Sequence, residues 1–390
     1  MKKWKQLTAV VLVGVLAAAP FAGTVFAQQA GEELPLYVEA GIWEEDFVRA
    51  NDNLNGLAWD INDETLAKLR KEEATNKGTV VPIEYETYFY ALDAANGDVL
   101  SHESPLTKQA FVYLPYGYDE NKQYNVLYLY HGGSDDEYMW FKQTDSLDYA
   151  DIDNSEVGKG YAVNILDNMF EQGFADPCIV VTPSLYAVHN YERTDDIEYP
   201  VDTESDYLFE SLTYDLRDLI PVVESTYSTY AEDVSEEGLI ASRDHRAMAG
   251  LSMGSHHTWK SGLNESLDII SWFGILSGGP FVPYNSVTKE KYTPENKGDY
   301  IDDCIENKTI PAIEEAAANG WKLNMLLNFD GLKDMTMPLH VYTHQKMLEY
   351  AQNSDLLNVG ENYDFVVSNG RHMFSAWNLY LYDMLQVFFK

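Results

Sequence analysis

His245-Arg246-Ala247-Met248-Ala249-Gly250-Leu251-Ser252-Met253-Gly254 is the stretch on which the reading of this chain turns. Arg246 to Gly250 has the small and apolar residues of a short buried strand, and Ser255 to Ser261 is compatible with a helix. Between them stands a Gly-x-Ser-x-Gly pattern. A sharp strand-to-helix bend of this kind needs glycine on both sides of the serine, because a Cβ at either place would meet the closing backbone. The bend lifts the Ser252 hydroxyl above the sheet, at the N-terminus of the next helix, where a nucleophile would stand. Five residues are a weak signal alone; the strand before and the helix after carry the reading.

Outward from this bend the chain repeats a strand-and-helix rhythm. Tyr124 to Tyr130 is a continuous apolar run ending in His131-Gly132-Gly133, and Cys178 to Thr182 is another. Leu212, Leu216, Leu219, Ile220 and Val223 have helical spacing within 208–227, with Pro221 expected to perturb that helix locally. Val80 to Tyr90 and Lys108 to Leu114 are β-rich, with turn signals at Asn96-Gly97 and Ser104-Pro105. Downstream, Ile269 to Leu276, Leu323 to Phe329 and Tyr363 to Val367 read as further buried strands, and Phe374 to Phe389 as a closing amphipathic helix. Apolar strands alternating with helices imply the α/β class, a mostly parallel central sheet with helices on both faces. Reactive groups in such sheets gather at the carboxyl ends of the strands.

A serine hydroxyl is a poor nucleophile until a neighbour takes its proton. Among nine histidines, His372 lies in the loop between the last strand and the last helix, so its ring can reach over the bend. His256 and His257 follow Ser252 on its own helix and are expected to point away or to line the pocket. His340 and His344, four apart, read as a helix surface. An acid is expected after the strand 323–329: Asp334 is the choice, with Asp330 the close competitor and a helix N-cap the other role open to Asp334. The chain order Ser252, Asp334, His372 is the one used by enzymes with this bend. Acyl transfer also needs two N–H donors aimed at the developing oxyanion. Met253 is one candidate; the other is Gly133, with Gly132 also possible. Trp140, shortly after the glycine pair, and His257 are candidate substrate contacts. This chemistry calls for no metal or organic cofactor.

Composition bounds the setting. The 390 residues include 26 Lys+Arg against 63 Asp+Glu, a formal net charge of -37. Such a surface repels phosphate backbones, so a nucleic-acid partner is not expected. Lys2, Lys3 and Lys5, the apolar run Leu7 to Ala19 and Val25-Phe26-Ala27 read as a signal peptide over residues 1–27, cleaved after Ala27. The mature chain is then expected to be secreted, without a membrane anchor. Residues 28–78 read as an N-terminal extension, with a helix near Leu66 to Glu73, and 79–390 as the main domain. The two cysteines, Cys178 and Cys304, are open to one disulfide or to two free buried thiols. Oligomeric state is not legible.

Tyr113-Leu114-Pro115-x-Gly117-Tyr118, Tyr128-Leu129-Tyr130-His131-Gly132-Gly133 and His245 to Gly254 together resemble the pattern of carbohydrate esterase family 1 over roughly residues 80–390. The resemblance implies an α/β-hydrolase fold and a serine esterase acting on acylated plant polysaccharide. Feruloylated xylan is the leading substrate, with acetylxylan esterase or acyltransferase activity, or a non-catalytic carbohydrate-binding relative, as alternatives. It also implies Asp334, in Gly-x-x-Asp, as the acid and His372, in Gly-x-His, as the base. Ser255 and Ser134 stand where this family often has further glycines, and both are expected to alter the pocket wall. Residues 186–206, rich in Tyr and Asp, read as a loop bordering the site or a solvated surface loop.

Overall fold

The computed structural model describes residues 57, 60–92, 99–133, 135–144, 157–186, 211–282, 285–288 and 300–390. The signal peptide, the Asn96-Gly97 turn, Ser134 and 187–206 lie outside the described residues. Eight strands form one sheet: β1 (Thr79–Leu92), β2 (Val99–Leu114), β3 (Asn125–Tyr130), β4 (Cys178–Pro183), β5 (Arg246–Leu251), β6 (Trp272–Leu276), β7 (Met325–Gly331) and β8 (Tyr363–Ser368). Their order is β1-β2-β4-β3-β5-β6-β7-β8. β1, β2 and β4 pair antiparallel, and every pairing from β4 across to β8 is parallel. With its helices this is the α/β-hydrolase fold.

The parallel strands are apolar at successive positions because both faces are covered. On β3, Val126, Tyr128 and Tyr130 enter one buried cluster, while Leu127 and Leu129 enter the other. The first cluster takes in helix α3 (Leu212–Thr226) and Leu339 and Met347 from α5 (Met337–Ala351). The second takes in α1 (Glu64–Lys71), α2 (Tyr161–Gln172) and α6 (Phe374–Leu385). The short helix α4 (Met253–His257) follows β5 directly and runs into a π-helical turn, Thr258–Asn264. Arg246 opens β5 inside the core, 1% exposed, and its guanidinium forks onto Glu224 of α3 with Nη2 donating to Oε2 at 2.8 Å. A guanidinium is tolerated there because the carboxylate and nearby carbonyls satisfy its donors.

Ser104-Pro105 is not a turn. Both lie within β2, with Pro105 opposite Tyr88 beside a register shift, which is where a strand can spare the missing N–H. Residues 60–78 are tied into the main domain. Asn369 Oδ1 accepts the Ile61 N–H at 3.0 Å, and Asn168 Nδ2 donates to the Leu69 and Glu72 carbonyls at 3.0 and 2.7 Å. Cys178 and Cys304 are both free and buried. Among the described residues, no helix is long and apolar enough to cross a membrane.

Candidate active site

The parallel register brings five strand ends level. Tyr130 pairs with Gly250, Leu251 with Leu276, Leu276 with Phe329, and Gly331 with Ser368. The residues that follow each strand therefore emerge along one edge: His131, Ser252, Ser277, the loop to Asp334 and the loop to His372.

Ser252 has φ 52° and ψ -116°, a conformation that side chains seldom adopt. The neighbouring strand holds it there, since the Ser252 N–H donates to the Leu276 carbonyl at 2.8 Å. Its Oγ stands 2.9 Å from His372 Nε2. The other ring nitrogen, Nδ1, lies 2.9 Å and 3.2 Å from the two carboxylate oxygens of Asp334. That polarity puts the imidazole proton on Nδ1 and leaves Nε2 to accept the serine proton. The Asp334 side chain is fully buried, while the His372 side chain keeps 18% exposure and so can meet a substrate. Trp377 of α6 stands edge-on to the His372 ring, centroids 5.1 Å apart, and is itself anchored by its Nε1–H donating to Ser277 Oγ at 3.0 Å.

Burial alone would raise the Asp334 pKa. The adjacent His372, and hydrogen bonds from His372 and from Thr336, outweigh it and hold this carboxyl at about 2. The competitor, Asp330, does not reach His372. It ends β7 in the core, and burial together with the Asp334 charge pushes it well above the carboxylate range. Asp334 does not cap α5 with its side chain; its Oδ1 accepts the Thr336 N–H at 3.0 Å, ahead of the helix.

The glycine turn after β3 lies against the serine. A Cβ on Gly132 would come within 3.3 Å of Ser252 Cβ and 2.6 Å of Leu251 Cδ1, so a larger residue there would crowd the serine. The Gly132 carbonyl accepts from His131 Nδ1 at 2.7 Å and from the Asp135 N–H at 3.4 Å. His131 Nε2 accepts the Leu185 N–H at 2.9 Å. With both ring nitrogens used, His131 is a neutral strut between the loops after β3 and β4, and burial lowers its pKa to about 4. Gly133 is exposed beside Met253, whose Cε would lie 3.4 Å from a Cβ built there.

Several expected positions change. Trp140 is 1% exposed, donates its Nε1–H to the Tyr130 carbonyl at 3.0 Å and packs edge-on to Phe374; it is core. His257 is also fully buried, because its phase on α4 turns it inward. Neither side chain can line the pocket. Ser255 is not a pocket wall: it is buried beneath the bend, its Oγ donating to the Ser252 carbonyl at 2.6 Å. His340 and His344 do not form a helix surface. His340 is fully buried with Nε2 accepting the Gly278 N–H at 2.6 Å, and His344 Nδ1 meets the Tyr363 hydroxyl at 2.8 Å. Asp135, His131 and Trp377 were not singled out as site supports. Asp135 had a usable signal, its place just after the glycine turn; Trp377 had none beyond lying on the closing helix.

Residues 103–265 match the "Putative esterase" family model. The chain is 30% identical over 285 residues to endo-1,4-beta-xylanase Y of Acetivibrio thermocellus, covering 73% of this chain and 22% of that protein. It is 28% identical over 242 residues to an endo-1,4-beta-xylanase/feruloyl esterase of Xylanibacter ruminicola, covering 59% of this chain and 28% of that one. It thus spans only about a quarter of the length of these curated relatives. In structure it resembles a mutant of the feruloyl esterase module from Clostridium thermocellum complexed with sinapinate, at TM-score 0.57 and 25% identity over 84% of this chain and 92% of that module. A ferulic acid esterase from Anaeromyces mucronatus shares the fold alone, at TM-score 0.52 and 19% identity over 83% of this chain and 95% of that one. Sequence match and fold agree: residues 103–265 match an esterase family model, and the chain has the α/β-hydrolase fold of the feruloyl esterase module that it resembles.

Proposed function

We propose that this chain is a secreted serine carboxylic-ester hydrolase that releases aromatic acyl groups, feruloyl foremost, from plant xylan. The observation that carries the reading is the line from Asp334 through His372 to Ser252, with 2.9 Å at each link. Ser252 Oγ attacks the ester carbonyl as His372 Nε2 takes its proton. The Met253 and Gly133 N–H groups receive the negative charge on the carbonyl oxygen, Gly133 being the exposed residue of the glycine pair and standing beside Met253. The tetrahedral centre collapses, His372 protonates the leaving alcohol, and an acyl-Ser252 remains. Water, deprotonated by His372, then attacks the acyl carbon, and the acid leaves as the proton returns to Ser252. Asp334 keeps the imidazole in one tautomer and stabilises its charged form. The aromatic acyl preference draws support from the sinapinate-bound module and the xylanase/feruloyl esterase relative. Secretion draws support from the signal-peptide pattern of the sequence over residues 1–27.

Hydrolysis of methyl ferulate, acetylated xylan and p-nitrophenyl acetate, compared between parent and Ser252→Ala, tests this. The parent is expected to prefer methyl ferulate over acetylated xylan. The variant should lose about 10³-fold or more in kcat on every ester while keeping its circular dichroism. Full turnover by the variant would dismiss Ser252 as nucleophile; release of acetate from xylan without ferulate hydrolysis would dismiss the aromatic substrate.

A further inference from the structure

Asp330 is a fully buried carboxyl that the reaction sequence above does not use. Its Oδ1 accepts the Gly331 N–H at 2.7 Å. Its Oδ2 lies 3.1 Å from Thr336 Oγ1 and 3.6 Å from His340 Nε2. Thr336 Oγ1 is also 2.7 Å from Oδ1 of Asp334. One hydroxyl therefore sits between two carboxyl groups and has a single proton to give.

Taking the assignment of Asp334 as the ionised partner of His372 from the proposed function, we propose that Asp330 is a protonated carboxylic acid. Its own proton is donated to Thr336 Oγ1, and Thr336 passes a hydrogen bond on to Asp334, making Asp330 a positioning residue for the catalytic acid. The contact lengths, 2.7 Å to Asp334 and 3.1 Å to Asp330, favour this direction. The shorter contact gives the Thr336 proton to Asp334, so the contact to Asp330 holds only if Asp330 supplies the hydrogen. Counter-charge is lacking as well. Among the described residues, His340 is the one basic group at ion-pair distance, and its Nε2 lone pair is spent on the Gly278 N–H. An ionised Asp330 would be an uncompensated charge in the core beside a second carboxylate. Burial of His340 keeps that ring neutral too, with its pKa lowered to about 3. From α6, the Tyr380 hydroxyl faces both acids and is bonded to Ser368 Oγ at 2.8 Å, adding no positive charge. Asp334 then has three donors, the Thr336 N–H, the Thr336 hydroxyl and His372 Nδ1, and the site beneath His372 carries one negative charge instead of two.

Asp330→Asn tests this, because an amide N–H can replace the acid proton without changing charge. Its kcat/KM on p-nitrophenyl acetate is expected within about threefold of the parent, with the acid limb of the pH–rate profile unmoved. Infrared difference spectra of parent minus variant at neutral pH should show one lost carboxylic-acid C=O band. Thr336→Ser should preserve that band and the profile, whereas Thr336→Val should shift the band and lower kcat; this pair keeps the test open if Asp330→Asn folds poorly. An acid limb displaced downward by about a unit in Asp330→Asn, or a lost carboxylate band in place of the acid band, would overturn the proposal. So would an unchanged band in Thr336→Val. Ser252→Ala and His372→Ala are measured alongside. Retained turnover there would remove the triad reading, while the infrared band would still report the protonation of Asp330.

Discussion

Asp135 shows how one side chain can couple the turn after β3 to pH. It is 8% exposed and follows the glycine turn, its N–H donating to the Gly132 carbonyl, and burial raises its pKa from 3.8 to about 7. Between those values the folded protein holds a proton that the unfolded chain has lost, so stability falls as pH rises through that window. Asp135→Asn has no proton to lose. Its stability should therefore gain on the parent by on the order of 1–3 kcal/mol between about pH 4 and pH 7, read from urea unfolding at the two values. An equal difference at both ends would show that Asp135 ionises normally. Asp334 behaves oppositely: held at about 2, it stays ionised as pH falls until strong acid, and its contribution is lost only there.

At the scale of the element, the bend works because two backbones nearly touch. A Cβ on Gly254 would lie 2.3 Å from the His131 carbonyl oxygen, and one on Gly250 would lie 2.4 Å from the Gly254 carbonyl carbon. The contacts are with backbone, which cannot move without shifting the end of β3. Gly254→Ala is therefore expected to cost about 1–3 kcal/mol in urea unfolding and to lower kcat by displacing Ser252 from the glycine turn. Gly133→Ala meets only the flexible end of Met253 at 3.4 Å, and its stability should stay within about 0.5 kcal/mol of the parent. Comparable losses for the two would contradict this packing argument.

At the scale of the whole molecule, residues 60–78 ahead of β1 are part of the body. Leu66 and Leu69 of α1 are 0% and 2% exposed and join the cluster that holds α2 and α6. Leu66→Ala should cost about 2–5 kcal/mol, the usual range for emptying a buried leucine site, measured by urea unfolding. A change near zero would mean that α1 is a loose appendage. Because α6 follows the His372 loop and carries Trp377, softening this face is also expected to loosen the histidine.

The strands, their approximate limits and the strand–serine–helix bend were legible because buried parallel strands need unbroken apolar runs and a tight bend needs glycine. Those are local requirements, written in neighbouring residues. The order Ser252, Asp334, His372 could be read for a similar reason, since each follows a recognisable strand. What the sequence left open was decided by distance across the sheet. Asp330 and Asp334 are both acids near the end of the same strand, and only the tertiary structure shows which one meets His372. Trp140, His257, Ser255 and His340 looked like surface or pocket residues because polarity and spacing do not reveal which face of a helix turns inward. Tertiary packing settles that, by covering both faces of the sheet and burying whatever side chains the helix phase happens to point there.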